Sequence, residues 1–559
     1  MCLSLSSLCY ASLTQGGRNM HSSKEVLIQK AKEASLIYDD LVKRYQIAEV
    51  KTEFVADEER AKLFRGLVSR PNPHGFPDAP VIRGKRKEGV GKIFAPEIIK
   101  QTAAIAGVLS AIQALALEIG KERDLSYPDA KVTCDVAFSG MQALRLYFTD
   151  YHGKTFRKRR DQSGISVDNA LNGSFYKYRA KDGRLISFHV YYESQLAKLV
   201  KALGLKKDYR KYNLFSLPFD RNEVKNRCLK DNATDLEDLS FFCGACGCML
   251  RTRDEWESSE VGSAVKKMPL LKEEKVSESK VKDYGEADLR KGPLSGMKVL
   301  DLTHIIAGPC CSRLLAELGA DVLLVRRGIF NVQEQAMLEL DGWAGKNSIQ
   351  LDFNIPEDLK RVKELVQEAD IITYSYQRGC LDHFGLSEAD IRELNPNIIF
   401  ANLNCFSDDV WQERPGWAPC AEDITGLSVR NGSVEKPVNL NGVPLDYFPG
   451  MILALGTLLA IRDKLSKGGG YRVMTSLARG AQYLHEVTDL IEKNPEYHSS
   501  HSTIVEKTAE QVWELPYRYT HVVATGDYVG FLAPGAVSSA FGFRDENQDF
   551  LDGRKGFRN

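Results

Sequence analysis

The sequence predicts an α/β fold: a Rossmann-type parallel sheet covered by a smaller α+β lid domain, with two related units in one chain. Three observations predict it. Short apolar strands alternate with helical stretches between residues 294 and 402, the pattern of strand–helix–strand crossovers. Two long apolar helical stretches, 103–116 and 451–461, lead into similar strands. The chain has 559 residues, 43% of them hydrophobic, enough for at least two cores, since a single core stops growing near ~250–300 residues.

Taken in order, residues 1–80 read as a helical and irregular region. Residues 1–20 are Ser-rich, and no basic residue precedes their apolar stretch, so a secretory signal is poorly supported. Residues 81–271 hold a first unit with a lid-like small domain, and 272–292, rich in Lys, Glu, Ser and Asp, read as a charged linker. Residues 293–475 carry the main alternation. A strand at 298–303 leads through a turn at 306–309 into a helix containing Leu314, Leu315 and Leu318, which stops at Gly319. Further strands are predicted at 321–325, 348–352, 370–374 and 397–402. Helices are predicted at 356–369, with Pro356 in the first turn, and at 387–394. Residues 476–559 read as a helix and a partial second lid-like segment.

The division into two units rests on a repeat. Residues 105–112 resemble 453–460, 131–137 resemble 472–478, and 182–188 resemble 525–531, always in the same order and with similar spacing.

Bulk properties narrow the function. Lys plus Arg and Asp plus Glu both total 75, so the formal net charge is zero. Neither nucleic acid nor a membrane surface is an expected partner. The basic run Arg157-Lys158-Arg159-Arg160 is short enough to be a solvated loop. Cys243, Cys246 and Cys248 form C-x2-C-x-C, but a fourth ligand and a second pair are missing, so no metal is expected. Free thiols suit a reducing compartment. The expected location is the cytoplasm, with mitochondria and peroxisomes left open.

Specific motifs cluster in residues 293–490. They include P-L-S-G-M-K-V-L-D-L-T at 293–303, A-G-P at 307–309 and L-L-A-E-L-G-A-D-V at 314–322. K-N-S-I-Q-L-D follows at 346–352, G-C-L-D-H-F-G-L at 379–386, R-E-L-N-P at 392–396 and R-P-G-W at 414–417. G-V-P at 442–444 is followed by Asp446 and Gly450. This set resembles the class III CoA-transferase family, which includes formyl-CoA and carnitine CoA-transferases and the methylacyl-CoA racemases. The chain looks like a long tandem fungal-type member. The resemblance implies a large domain that binds CoA as co-substrate, a small domain covering it, and two interlocked units, here an intramolecular pseudo-dimer or a homodimer. The implied partners are small molecules, an acyl-CoA and a carboxylic acid.

Within that resemblance Asp446 aligns with the family's nucleophile. A carboxylate before a helix start lies near the positive end of the helix dipole and is expected to stay ionised. It can attack a thioester carbonyl. Standing alone, the same residue would read as a helix cap. Arg327 matches a CoA-contacting arginine, Arg326 replaces the usual glutamate, and His383 stands where an arginine facing the nucleotide is common. Ala307, Gly308 and Pro309 form a turn whose amides can approach the ligand. Lys346 is what remains of the family's N-K-R-S stretch. The absence of G-x-G-x-x-G after the first strand argues against NAD.

Two other readings follow from departures. A racemase needs a histidine where this chain has Trp417, which cannot exchange a proton at neutral pH. A non-catalytic CoA-binding or assembly protein is suggested by the first unit, where Glu97 takes the place of Asp446 without a preceding G-V-P.

Overall fold

A computed structural model of the chain describes residues 23–68, 87–123, 130–148, 150–151, 154–155, 176–190, 193–206, 221–285, 292–326, 340–440, 443–494, 517–522, 527–532 and 534–540. The first unit opens with α1 (Ser23–Tyr45), β1 (Lys51–Val55), α2 (Lys87–Glu122), β2 (Lys131–Asp135) and the short α3 (Val136–Met141). Strands β1 and β2 pair in parallel. From Ala103 to Ile119 almost every side chain of α2 is buried, which explains why the sequence shows an apolar run there rather than a stripe.

The small domain follows. Hairpin strands β3 (Asp150–Tyr151) and β4 (Lys154–Thr155) precede an antiparallel sheet of β5 (Lys177–Arg179), β6 (Leu185–His189) and β7 (Cys246–Met249). Helix α4 (Ala233–Phe242) packs on that sheet, and Ile186, Phe188, Leu199 and Leu236 form a separate core.

The large domain is a seven-stranded sheet. Its strands are β8 (Lys272–Ser277), β9 (Lys298–Leu302), β10 (Asp321–Arg326), β11 (Asn347–Gln350), β12 (Ile371–Tyr374), β13 (Ile399–Asn404) and β14 (Gly470–Ser476). The spatial order is β11-β10-β9-β12-β13-β14-β8. All but β8 run parallel. Counted from β9, this is the 3-2-1-4-5-6 order of a doubly wound Rossmann sheet. Its helices are α5 (Ala307–Glu317), α6 (Pro356–Glu368), α7 (Glu388–Leu394), α8 (Ala418–Ile424), α9 (Pro444–Lys467) and α10 (Leu477–Glu492). The predicted strands and helices of this domain fall within one or two residues of those observed.

Two expectations are corrected here. Lys272–Ser277, read as the start of a linker, forms the antiparallel edge strand β8 beside β14. An edge strand needs few apolar side chains, so K-E-E-K-V-S reads as solvated chain. Helix α9 begins at Pro444 rather than near Gly450, because proline suits a first helical position.

The units interlock within the chain. β17 (Ala536–Ser538) pairs with β2 of the first unit. β15 (Tyr517–Val522) and β16 (Asp527–Leu532) join β3 and β4 in one sheet. One continuous apolar cluster runs from α1 and α2 into α5, α9 and α10. Helices α2 and α9 contain stretches long and apolar enough to span a membrane, and 94% of each window is buried inside the protein.

Candidate active site

In a doubly wound sheet ligands bind beyond the carboxyl ends of the strands, where the strand order reverses. Here that point lies between β9 and β12. The loop after β9 is clamped from below by Asp301. Its carboxylate accepts hydrogen bonds from Thr303 N at 3.0 Å, Ser312 Oγ at 2.7 Å, Thr373 Oγ1 at 3.0 Å and Lys346 Nζ at 2.7 Å. Lys346 also donates to Ser312 Oγ at 2.7 Å and Pro309 O at 3.1 Å. It is fully buried, and these bonds account for the three donors of an ammonium. Lys346 therefore braces the loop from inside the fold rather than facing a nucleotide, which corrects the sequence expectation. Above the clamp, Ile305 adopts φ +67°, an unusual conformation for a β-branched residue.

Close approach of backbone brings the start of α5 against the first turns of α9. A Cβ on Gly308 would stand 2.5 Å from Thr303 Cβ, and one on Gly450 would stand 2.3 Å from Ala307 O. Glycine at 450 lets α9 pass against the start of α5, one helical turn beyond Asp446, and glycine at 308 lets α5 sit against Thr303. Ala307 therefore lies against α9 one helical turn from Asp446, with Gly308 and Pro309 following it in the first turn of α5. Asp446 lies in the first turn of α9 and is 9% exposed, and its carboxylate takes no hydrogen bond from any described residue. Burial pushes its carboxyl up to about 7. The expectation of a fully ionised carboxylate is corrected accordingly: desolvation outweighs the helix dipole.

An aromatic wall faces the loop. His304 stacks on Tyr376 with ring centroids 4.8 Å apart and meets Trp417 edge-on at 6.2 Å. Burial lowers His304 to about 4, so it is neutral at physiological pH. His304 and Tyr376 were missed in the sequence. Their position directly after β9 and β12 was the available signal.

Residues 294–519 match the family model of CoA-transferase family III. That stretch belongs to CoA-transferase family III. The chain is 26% identical over 409 residues to an acetyl-coenzyme A transferase of Hypoxylon pulicicidum, covering 68% of this chain and 67% of that protein. It is 27% identical over 444 residues to an acyl-CoA transferase of Gibberella moniliformis, covering 75% and 76%. Against the formyl-CoA:oxalate CoA-transferase of Escherichia coli, identity is 29% over 197 residues, 33% of this chain and 47% of that one. A solved hypothetical protein of Mycobacterium tuberculosis shares 26% identity over 36% of this chain and 60% of its own, with a TM-score of 0.33.

The remaining expected contacts of this family III domain are placed less uniformly. Arg326 ends β10 and lies over the Trp343 ring, 5.2 Å from its centroid. Arg327 lies outside the described residues. His383 is exposed in the turn Asp382–Phe384, its ring tilted against Phe384. Cys246 and Cys248 of β7 are buried where the small domain meets the large one, and hydrogen bonding with Cys420 and the charge of Cys405 affect both or one of these thiols. Burial pushes all four thiols up, which makes them unreactive. Among the described residues no group of three or more His, Cys, Asp or Glu is arranged to hold a metal.

Proposed function

We propose that this chain transfers coenzyme A from an acyl-CoA to a carboxylic acid, with Asp446 as the nucleophile. The observation that carries the reading is an enclosed carboxylate with no ion pair among the described residues, one helical turn before the contact of α9 with the start of α5. A poorly solvated carboxylate attacks without first shedding a water shell, once its proton has left. It adds to the thioester carbonyl and expels CoA thiolate, leaving a mixed anhydride. The thiolate then attacks the aspartyl carbonyl, giving an aspartyl-CoA thioester and the free donor acid. The acceptor carboxylate repeats the exchange in reverse and leaves as its CoA thioester, which restores Asp446.

CoA would lie along the carboxyl ends of β9 and β10, with its phosphates near Arg326 and Arg327 and its thioester toward Ala307 and Gly308. Ile306 offers no side-chain cap to α5, which leaves the first-turn amides of that helix to other acceptors. The relatives' names support CoA transfer in general while differing in the acyl group carried.

Incubation with an acyl-CoA and hydroxylamine tests the reading: a hydroxamate should form at position 446. CoA binding without trapping would favour a binding protein. One observation favours a second reading. His304, which can exchange a proton, stands against Trp417, so deuterium wash-in at the acyl α-carbon without CoA transfer would point to a racemase.

A further inference from the structure

The Asp446 carboxylate has no hydrogen bond to a described residue, so the helix turn that carries it must set its direction. The next residue is pinned firmly. Tyr447 is buried, its phenol oxygen accepts from Leu146 N at 2.9 Å and donates to Asp341 Oδ2 at 3.0 Å. The other oxygen of Asp341 accepts from Arg145 Nε at 3.0 Å, and Arg145 Nη1 donates to Gln142 Oε1 at 2.6 Å. Arg145 also lies 3.8 Å from Glu317, which pairs with Arg313. Two guanidinium groups and two carboxylates therefore compensate one another in a buried site, the condition under which such charges are tolerated.

Gln142, Arg145 and Leu146 all belong to the first unit, more than 300 residues before Tyr447 in the sequence. The same segment reaches the start of α9, where Val443 N donates to Ala143 O at 3.4 Å. We infer that Arg145 is a positioning residue lent by the first unit: it orients Asp341, Asp341 and Leu146 N hold Tyr447, and Tyr447 aims the neighbouring Asp446. This rests on Asp446 being the nucleophile. It gives the first unit a role in the reaction without an active site of its own. A misdirected nucleophile loses rate rather than binding.

Tyr447→Phe, Arg145→Met, Arg145→Lys and the double variant Arg145→Met/Tyr447→Phe test this in the full chain. The readouts are kcat, the KM for acyl-CoA, the rate of hydroxylamine trapping and the melting profile. Tyr447→Phe and Arg145→Met should each lower kcat and the trapping rate by roughly 10- to 100-fold, with KM within about threefold. Arg145→Lys should recover part of the loss. The double variant should be no worse than the worse single, because the residues act in series.

A Tyr447→Phe protein with kcat within twofold of the parent, or losses that multiply in the double variant, would overturn the inference. If Arg145→Met does not fold, Tyr447→Phe decides alone, since it removes a single oxygen. The reading beneath is separable. An active Asp446→Asn protein sinks the nucleophile assignment, whereas an inactive one beside a fully active Tyr447→Phe sinks only the role of Arg145.

Discussion

Replacing Asp446 with asparagine should abolish transfer while stabilising the fold above neutral pH. The carboxyl titrates at 3.8 in an exposed chain and at about 7 in the folded protein, where burial opposes its charge. Between those values the native state holds a proton that the unfolded state has released, so stability falls as pH rises from about 4 to about 7. Above that the loss is complete. The shift of roughly three units corresponds to about 4 kcal/mol at pH 8, at ~1.4 kcal/mol per unit. Asparagine has nearly the same shape and no charge to desolvate, so its variant should recover much of that difference at pH 8 and almost none at pH 4. Urea unfolding of both proteins at these two pH values measures it. Activity should fall at least ~10³-fold, as for loss of a covalent nucleophile. A variant that is destabilised equally at both pH values would refute the reasoning, because the carboxyl would then be held by contacts rather than confined without them.

Other outcomes follow from the same geometry. The kcat/KM of the parent should rise with pH as one group loses a proton near pH 7, and a profile flat from pH 5 to 8 would contradict it. Lys346→Met leaves Asp301 charged and enclosed without its cation, and should cost about 3–5 kcal/mol in urea unfolding; adding Asp301→Asn should restore part of that. Arg327→Ala should raise the KM for acyl-CoA roughly 10- to 100-fold with little change in kcat. The effect should largely vanish with an acyl-pantetheine, which has no nucleotide phosphates.

The parallel sheet was legible because each of its inner strands is buried on both faces and therefore reads as a short apolar run. Asp446 was legible through its place among motifs, but its ionisation was not. The helix dipole can be read from neighbouring residues, whereas burial is imposed by parts of the fold distant in sequence, such as α5, which packs along α9. Lys346 shows the same divide. A motif supplies the residue type, and only the fold reveals that Asp301, Ser312 and Pro309 O consume its donors. β8 was hidden because its pairing with β14 uses backbone groups and leaves Lys and Glu side chains at the edge. Arg145, Asp341 and Tyr447 carry no local signal at all, since each is separated from the others by more than 100 residues.

The pairing of β17 with β2 sets a timetable for the chain as it leaves the ribosome. Ala536 lies opposite Cys134, so roughly 400 residues must be made between one partner and the other. At ~5–20 residues per second that is about 20–80 s. Throughout that interval β2 has β1 on one side and bare amides and carbonyls on the other, a template for stray strands. The first unit emerges early and closes late, against the usual order in which leading domains fold before trailing ones appear. Its nascent edge is therefore where a holding chaperone would have most to do, and its expression as an isolated fragment should yield aggregate rather than a folded half.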